Sequence, residues 1–273
     1  GYAAGAALFK ANLDAFGECG QFSRVLAVDW LGTGLSRRPR FPKSRGPAVA
    51  EAWFVDAMEA WRQEMGLRRI VLLGHSLGGI LVTSYASRFP DVIHRLVLLI
   101  APQASPATPK SFVDTRSTFF RIVGWMWDHN VTPMRIVRFM GPLGPLLLRA
   151  ATNRRYSRAP GGVDKVDAKA IAAYCYHNFA MHGSGEFAMN GVLQKGASAR
   201  IPISDRLTPD LCRRFPVTFI YGAPGRDWMD HTQGAEIVDT LVTAGCTADI
   251  STVPKAGHQL FVDQPEEFTR RVI

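Results

Sequence analysis

The stretch I-V-L-L-G-H-S-L-G-G-I at residues 70–80 decides how the rest of the chain is read. Residues 70–73 form a short apolar run of the kind that makes a buried strand. From Leu77 to Ala86 apolar and small residues recur at helical spacing, so the intervening G-H-S-L-G must be a tight strand-to-helix turn. Gly74 and Gly78 flank Ser76 because so sharp a turn leaves no room for side chains on either side. The strain exposes the Ser76 hydroxyl above the sheet at the start of a helix, which is a nucleophile elbow. The backbone N–H of Leu77 then points at the same spot, ready to stabilise an oxyanion. A G-x-S-x-G pattern also arises by chance in glycine-containing loops. Strand before, helix after, and an acid and a histidine later in the order Ser, Asp, His distinguish this one.

With 273 residues and ordinary apolar content, one domain with an insertion fits better than two independent domains. Cys19, Cys175, Cys212 and Cys246 lack disulfide-framework or metal-ligand spacing. They read as reduced thiols of an intracellular, cytoplasmic protein. No metal site and no cofactor is expected. No apolar run approaches the ~20 residues that a membrane-crossing helix needs. The formal net charge is +9, and its location is informative. Residues 103–215 hold sixteen Lys and Arg against seven Asp and Glu, while the remainder holds sixteen of each sign. A basic surface attracts anions, whether nucleic acid, phospholipid headgroups or phosphorylated substrates; of these a lipid surface, and not nucleic acid, is the expected partner. A merely solubilising face is the plainer alternative.

Taken in order, Gly1-Tyr2 opens a glycine-containing segment, followed by a helical pattern near residues 7–16. Residues 23–29, S-R-V-L-A-V-D, read as a strand. The loop W-L-G-T-G-L-S-R-R-P then leaves the sheet's C-terminal edge; its Gly32-Thr33-Gly34 lacks the third glycine and Lys-Ser/Thr pair of a phosphate loop. Residues 48–65 read as an amphipathic helix in which Trp53 and Trp61 pack. Residues 94–100 form the next buried strand. About 110 residues pass before the following one at 216–221, too long for a structureless loop. This excursion, residues 103–215, is expected to be a helical cap, with residues 1–102 and 216–273 as the sheet domain. Its aromatic and aliphatic clusters alternate with arginine, which suits either a membrane interface or a lid packed on the sheet domain. A helix at 232–244, a last strand at 247–253 and a helix from Pro265 complete a parallel sheet flanked by helices.

A serine hydroxyl needs a base within hydrogen-bond reach, itself held by a carboxylate. His258 follows the last strand, where its loop would reach over Ser76. His75 is locked beside the nucleophile, and His177 and His182 belong to the excursion. Asp227 and Asp230 both follow the strand at 216–221. Asp227 is preferred for its register, and Asp230 remains an alternative.

Four segments carry a family resemblance: V-D-W-L-G-T-G-L-S-R-R-P at 28–39, L-L-G-H-S-L-G-G at 72–79, F-I-Y-G-A-P-G-R-D-W-M-D at 219–230, and G-H-Q-L-F-V-D-Q-P-E-E-F at 257–268. Together they resemble the α/β-hydrolase-domain lipid enzymes, which include lysophospholipases, a lipid-droplet lipase co-activator and phospholipase or acyltransferase relatives. The resemblance implies an α/β-hydrolase fold. It covers the sheet domain, while the excursion matches only in character. It makes Gly1-Tyr2 the remnant of the family's His-Gly-x turn, with the backbone of Tyr2 as second oxyanion donor; a flexible tail is the other reading. His258 and Asp263 reproduce the family's H-x-x-x-x-D, associated there with lysophosphatidic acid acyltransferase activity. Asp263 is equally placed to cap the C-terminal helix. The co-activator branch has Asn at the nucleophile position, whereas this chain has Ser76. The expected function is therefore a serine hydrolase of phospholipid or lysophospholipid acyl esters, with acyl transfer open. Peripheral association with an anionic membrane or a lipid-droplet surface is expected with it. The alternatives are a non-catalytic co-activator that binds lipid surfaces and a hydrolase of small soluble esters.

Overall fold

The computed structural model describes residues 1–42, 46–99, 118–156, 165–194, 198–227 and 229–273. Four strands pair side by side in chain order, all parallel: β1 (Ile70–His75), β2 (Ile93–Leu99), β3 (Val217–Gly222) and β4 (Ala248–Val253). Every residue of β3 is buried, as is most of β2, because helices cover both faces of a parallel sheet.

A 3₁₀ turn at Ala6–Phe9 leads into α1 (Lys10–Glu18). Helix α2 (Pro47–Glu64) opens with proline, whose missing N–H costs nothing in a first turn, and buries Ala50, Phe54, Val55 and Met58 on one face. Helix α3 (Leu77–Arg88) follows β1 directly and is buried along residues 77–86. Between β2 and β3 come α4 (Thr118–Asp128), α5 (Pro133–Phe139), α6 (Gly144–Tyr156) and α7 (Lys165–Ala180), then the short α8 (Met189–Val192), α9 (Ile203–Arg206) and α10 (Pro209–Cys212). Helix α11 (His231–Thr243) follows β3, and α12 (Leu260–Asp263) and α13 (Pro265–Val272) follow β4.

The helices between β2 and β3 divide by what they pack on. Met134, Val137 and Phe179 form a small apolar cluster of their own, with Tyr2 and Ala3 packed against it. Val192, Ile203, Leu207, Cys212 and Phe215 instead belong to the main core around the sheet. The expected boundary at residues 102–103 lies outside the described residues.

The strand expected at residues 23–29 is not formed: residues 24–30 join no ladder. A cavity of about 490 Å³ separates them from β1, lined by residues 25–28 on one side and 70–74 on the other. Strands must lie ~4.8 Å apart to exchange hydrogen bonds. A continuous apolar run such as residues 25–28 stays unpaired without such a neighbour, and Leu26 and Val28 are exposed. The segment still ends in a structural anchor. Asp29 accepts the Ala6 N–H (2.8 Å) and the Leu35 N–H (3.0 Å), tying the N-terminal segment to the 32–35 loop.

Candidate active site

The site lies over the C-terminal ends of the strands, where the loops after β1, β3 and β4 converge, the edge at which an open parallel sheet gathers its functional loops. Ser76 occupies the turn between β1 and α3 with φ 53° and ψ −123°, a conformation that costs a non-glycine residue of order 1–3 kcal/mol. The surroundings hold it there. Its N–H donates to the Leu99 carbonyl at the end of β2 (2.9 Å), and its carbonyl accepts the Gly79 N–H (2.7 Å). Leu77 is the first residue of α3, so its N–H has no acceptor within the helix.

The two glycines of the elbow are not equivalent. A Cβ at Gly74 would fall 2.5 Å from the Gly78 carbonyl oxygen and 2.5 Å from Val82, so only hydrogen fits. At Gly78 a Cβ would meet nothing closer than Trp30 Nε1 at 3.7 Å, an ordinary contact. The crowding read from the sequence on both sides of Ser76 holds on the Gly74 side alone.

His258, in the loop between β4 and α12, is brought against the elbow. Its ring centroid is 4.9 Å from that of His75, and its backbone oxygen is 2.7 Å from His75 Nε2. That nitrogen must donate, since a carbonyl only accepts. The His75 Nδ1, which has no hydrogen-bond partner among the described residues, then carries the lone pair. Burial holds His75 well below the ordinary histidine range, which keeps it neutral.

The two candidate acids separate cleanly. Asp227 lies with its side chain 2% exposed and Oδ1 3.4 Å from His258 Nδ1. The same oxygen accepts the Met229 N–H (3.1 Å). Asp230 is exposed and caps α11, accepting both the N–H and the hydroxyl of Thr232. The 3.4 Å separation at Asp227 is longer than a charge-assisted bond, as resting catalytic pairs often are before the histidine takes up a proton.

Gly1 lies at the elbow: a Cβ on it would be 2.8 Å from His75 Nδ1 and 3.5 Å from Ser76 Cβ. The side chain of Tyr2 packs both on the main core and on the cluster made by Met134, Val137 and Phe179. Asp263 is buried and does not cap α13, whose N-cap is Gln264. Its Oδ2 accepts the Gly257 N–H (2.8 Å), and both its oxygens lie 3.3 Å from Arg155 Nη2. His75, which touches His258, and Arg155 and Tyr156, which touch Asp263 and Gln259 beside it, are residues to which the sequence gave no part in the site. Of these only His75 carried a signal, through its place next to Ser76.

The family model described as the alpha/beta hydrolase fold matches residues 1–265. The chain belongs to the α/β-hydrolase family. Among curated relatives, this α/β-hydrolase is 36% identical over 279 aligned residues to a 1-acylglycerol-3-phosphate O-acyltransferase of Arabidopsis thaliana; the match covers 100% of this chain and 64% of that protein. It is 33% identical to a (lyso)-N-acylphosphatidylethanolamine lipase of Bos taurus, covering 98% of this chain and 75% of the relative. The chain thus spans about two thirds to three quarters of the length of these relatives. Among solved structures, a bromoperoxidase from Bacillus anthracis superposes with a TM-score of 0.66 at 16% identity, covering 100% of this chain and 87% of that one. That likeness is one of fold alone. This α/β-hydrolase therefore falls with relatives named for lipid acyl chemistry, and no described helix is long and apolar enough to cross a membrane.

Proposed function

We propose that the protein is a serine hydrolase that cleaves acyl esters of phospholipids or lysophospholipids through an acyl-Ser76 intermediate. One observation carries the reading: His258, backed by the buried Asp227, lies against the turn that forces Ser76 into a strained conformation. In this mechanism Ser76 Oγ attacks the ester carbonyl carbon while His258 Nε2 takes the hydroxyl proton. Asp227 steadies the imidazolium through Nδ1–H. The N–H groups of Leu77 and Tyr2 receive the negative charge on the carbonyl oxygen. Collapse of the tetrahedral intermediate expels the alcohol, which leaves with the proton from His258. Water, activated by the same histidine, then releases the fatty acid and restores Ser76.

The lipid part of the proposal rests on the relatives, one named as a lysophospholipid-type lipase and one as an acyltransferase. The second name supports an extension of the last step. A lysophospholipid hydroxyl that reaches the acyl-enzyme ahead of water would be acylated by the same atoms. The helices between β2 and β3 serve in this reading as a cap that meets the lipid surface.

A fluorophosphonate probe, which phosphonylates activated serines, tests the chemistry directly. The parent should label and hydrolyse a short p-nitrophenyl ester, and Ser76→Ala should do neither while keeping its fold. Parent protein that fails to label would favour a non-catalytic lipid-surface co-activator built on a hydrolase scaffold.

A further inference from the structure

The loop that carries His258 is gripped from two directions by groups outside the Ser76, His258 and Asp227 set. On the elbow side, His75 donates to the His258 carbonyl at 2.7 Å. On the opposite side, Asp263 accepts the Gly257 N–H at 2.8 Å. The two peptide groups, 256–257 and 258–259, bracket Gly257 and His258, so the short stretch of backbone that bears the imidazole is held at both ends. The Asp263 side chain is only 1% exposed, and a carboxylate that deep stays charged only if it is paired. Its cationic neighbour is Arg155, from the last turn of α6 in the insertion, with Nη2 3.3 Å from both carboxylate oxygens. The next residue, Tyr156, donates its hydroxyl to Gln259 Oε1, directly after the histidine. One helical turn of the insertion thus holds the histidine loop at residues 259 and 263.

We infer that Asp263 is a positioning residue, which sets the height of His258 over the elbow through Gly257 and makes that setting depend on α6 through Arg155. The inference rests on the triad reading above. It gives the His258–Asp263 spacing a duty that precedes any choice of acyl acceptor. The imidazole must be in place for acylation, for hydrolysis and for transfer alike. A displacement of about 1 Å at such a group lowers turnover by roughly 10²-fold. Loss of Asp263 should therefore depress every reaction of the acyl-enzyme in the same proportion. A residue that bound the acceptor lipid would depress transfer alone.

The full chain would be compared as parent, Asp263→Ala, Asp263→Asn, Arg155→Met and the Asp263→Ala/Arg155→Met pair. The substrate is p-nitrophenyl butyrate, with and without lysophosphatidic acid as acceptor, and rates are normalised to active-site titration so that unfolded chain does not count. Asp263→Ala should lose about 10²-fold in kcat with KM within a few-fold of the parent. Asp263→Asn, which keeps an acceptor for Gly257, should recover part of it. Arg155→Met leaves the buried Asp263 carboxylate without its cation and should lower stability as well, which the normalisation removes from the rates; it should lower kcat several-fold in the parent and not at all in the Asp263→Ala background. Unchanged kcat in Asp263→Ala, or loss of transfer with hydrolysis intact, overturns the inference. So does an Arg155→Met effect that multiplies with that of Asp263→Ala. A Ser76→Ala control that still turns over would instead sink the triad reading beneath it.

Discussion

Asp227 and Asp230 are the same side chain three residues apart, and their surroundings give them different work. Asp227 is buried with an oxygen toward His258, while Asp230 faces solvent and closes the first turn of α11. Asp227→Asn should leave His258 in the wrong tautomer and cost about 10²- to 10⁴-fold in kcat, read with a soluble ester. Asp230→Asn should be nearly silent, since asparagine caps a helix as well as aspartate does. A damaging Asp230→Asn with a mild Asp227→Asn would reverse the assignment. The elbow glycines make a second pair of this kind. Gly74→Ala drives a methyl into the Gly78 carbonyl and should lower stability by about 1–3 kcal/mol in denaturant titration, whereas Gly78→Ala should fold like the parent. Equal losses at both positions would contradict the contacts at the turn. The sequence made Ser76 and His258 legible because a turn motif and chain order point at them. It left Asp227 beside Asp230 because side-chain aim depends on backbone dihedrals that composition does not encode. For Asp263 the sequence offered a helix cap beside the family motif, and the cap is not formed: its partners, Gly257 and Arg155, lie on two other segments.

At the scale of elements, period and burial agree wherever an element has neighbours on both sides. β2 and β3 read as buried strands and are buried strands. Residues 23–29 carry the same pattern and join no ladder, because pairing needs a partner within reach and not only a suitable sequence. The arginines of the insertion show the same limit. In the sequence they all read as charges fringing apolar faces. In the structure Arg138 is an internal tie, donating to both oxygens of the buried Glu186 (3.0 and 2.6 Å) and to the carbonyls of Phe179 and Met181. Thr132 also donates to Glu186 (2.6 Å), so one carboxylate joins the start of α5, the end of α5 and the segment after α7. Arg138→Met should leave that carboxylate buried without its cation and cost about 3 kcal/mol. The loss should appear as a lower denaturant midpoint and faster proteolysis between residues 128 and 186. A variant that unfolds and cuts like the parent would mean that the pair holds nothing.

For the molecule as a whole, the telling feature is the coincidence of positive charge with apolar side chains that no core covers. Phe139 is 91% exposed, Leu146 62% and Trp125 57%, with Ile122, Leu143 and Leu147 also in the open. Arg121, Arg135 and Arg149 are exposed on the same helices, α4, α5 and α6. The charge excess was countable from the sequence. Which arginines are available to an outside partner was not, because that depends on the ties just described. Exposed apolar side chains and arginines on the same helices would suit the lipid surface that the proposed function requires: the rings and leucines would enter the acyl boundary, and each guanidinium near the headgroups would contribute about 1 kcal/mol. Binding to vesicles containing phosphatidylserine should then fall as salt rises, since the attraction is screened over ~8 Å at physiological ionic strength. Replacing Arg121, Arg135 and Arg149 by Gln removes roughly 3 kcal/mol of that attraction, on the order of a hundredfold in binding. None of the three has a role in the proposed chemistry or in the ties to Asp263 described above, so hydrolysis of a soluble butyrate ester should persist in the triple variant. Phe139→Ser with Leu146→Ser should weaken binding to neutral and anionic vesicles alike, because it removes the inserted part and leaves the charge. Parent protein that binds neutral and anionic vesicles equally, with no response to salt or to the arginine substitutions, would reduce this basic face to a solvated one.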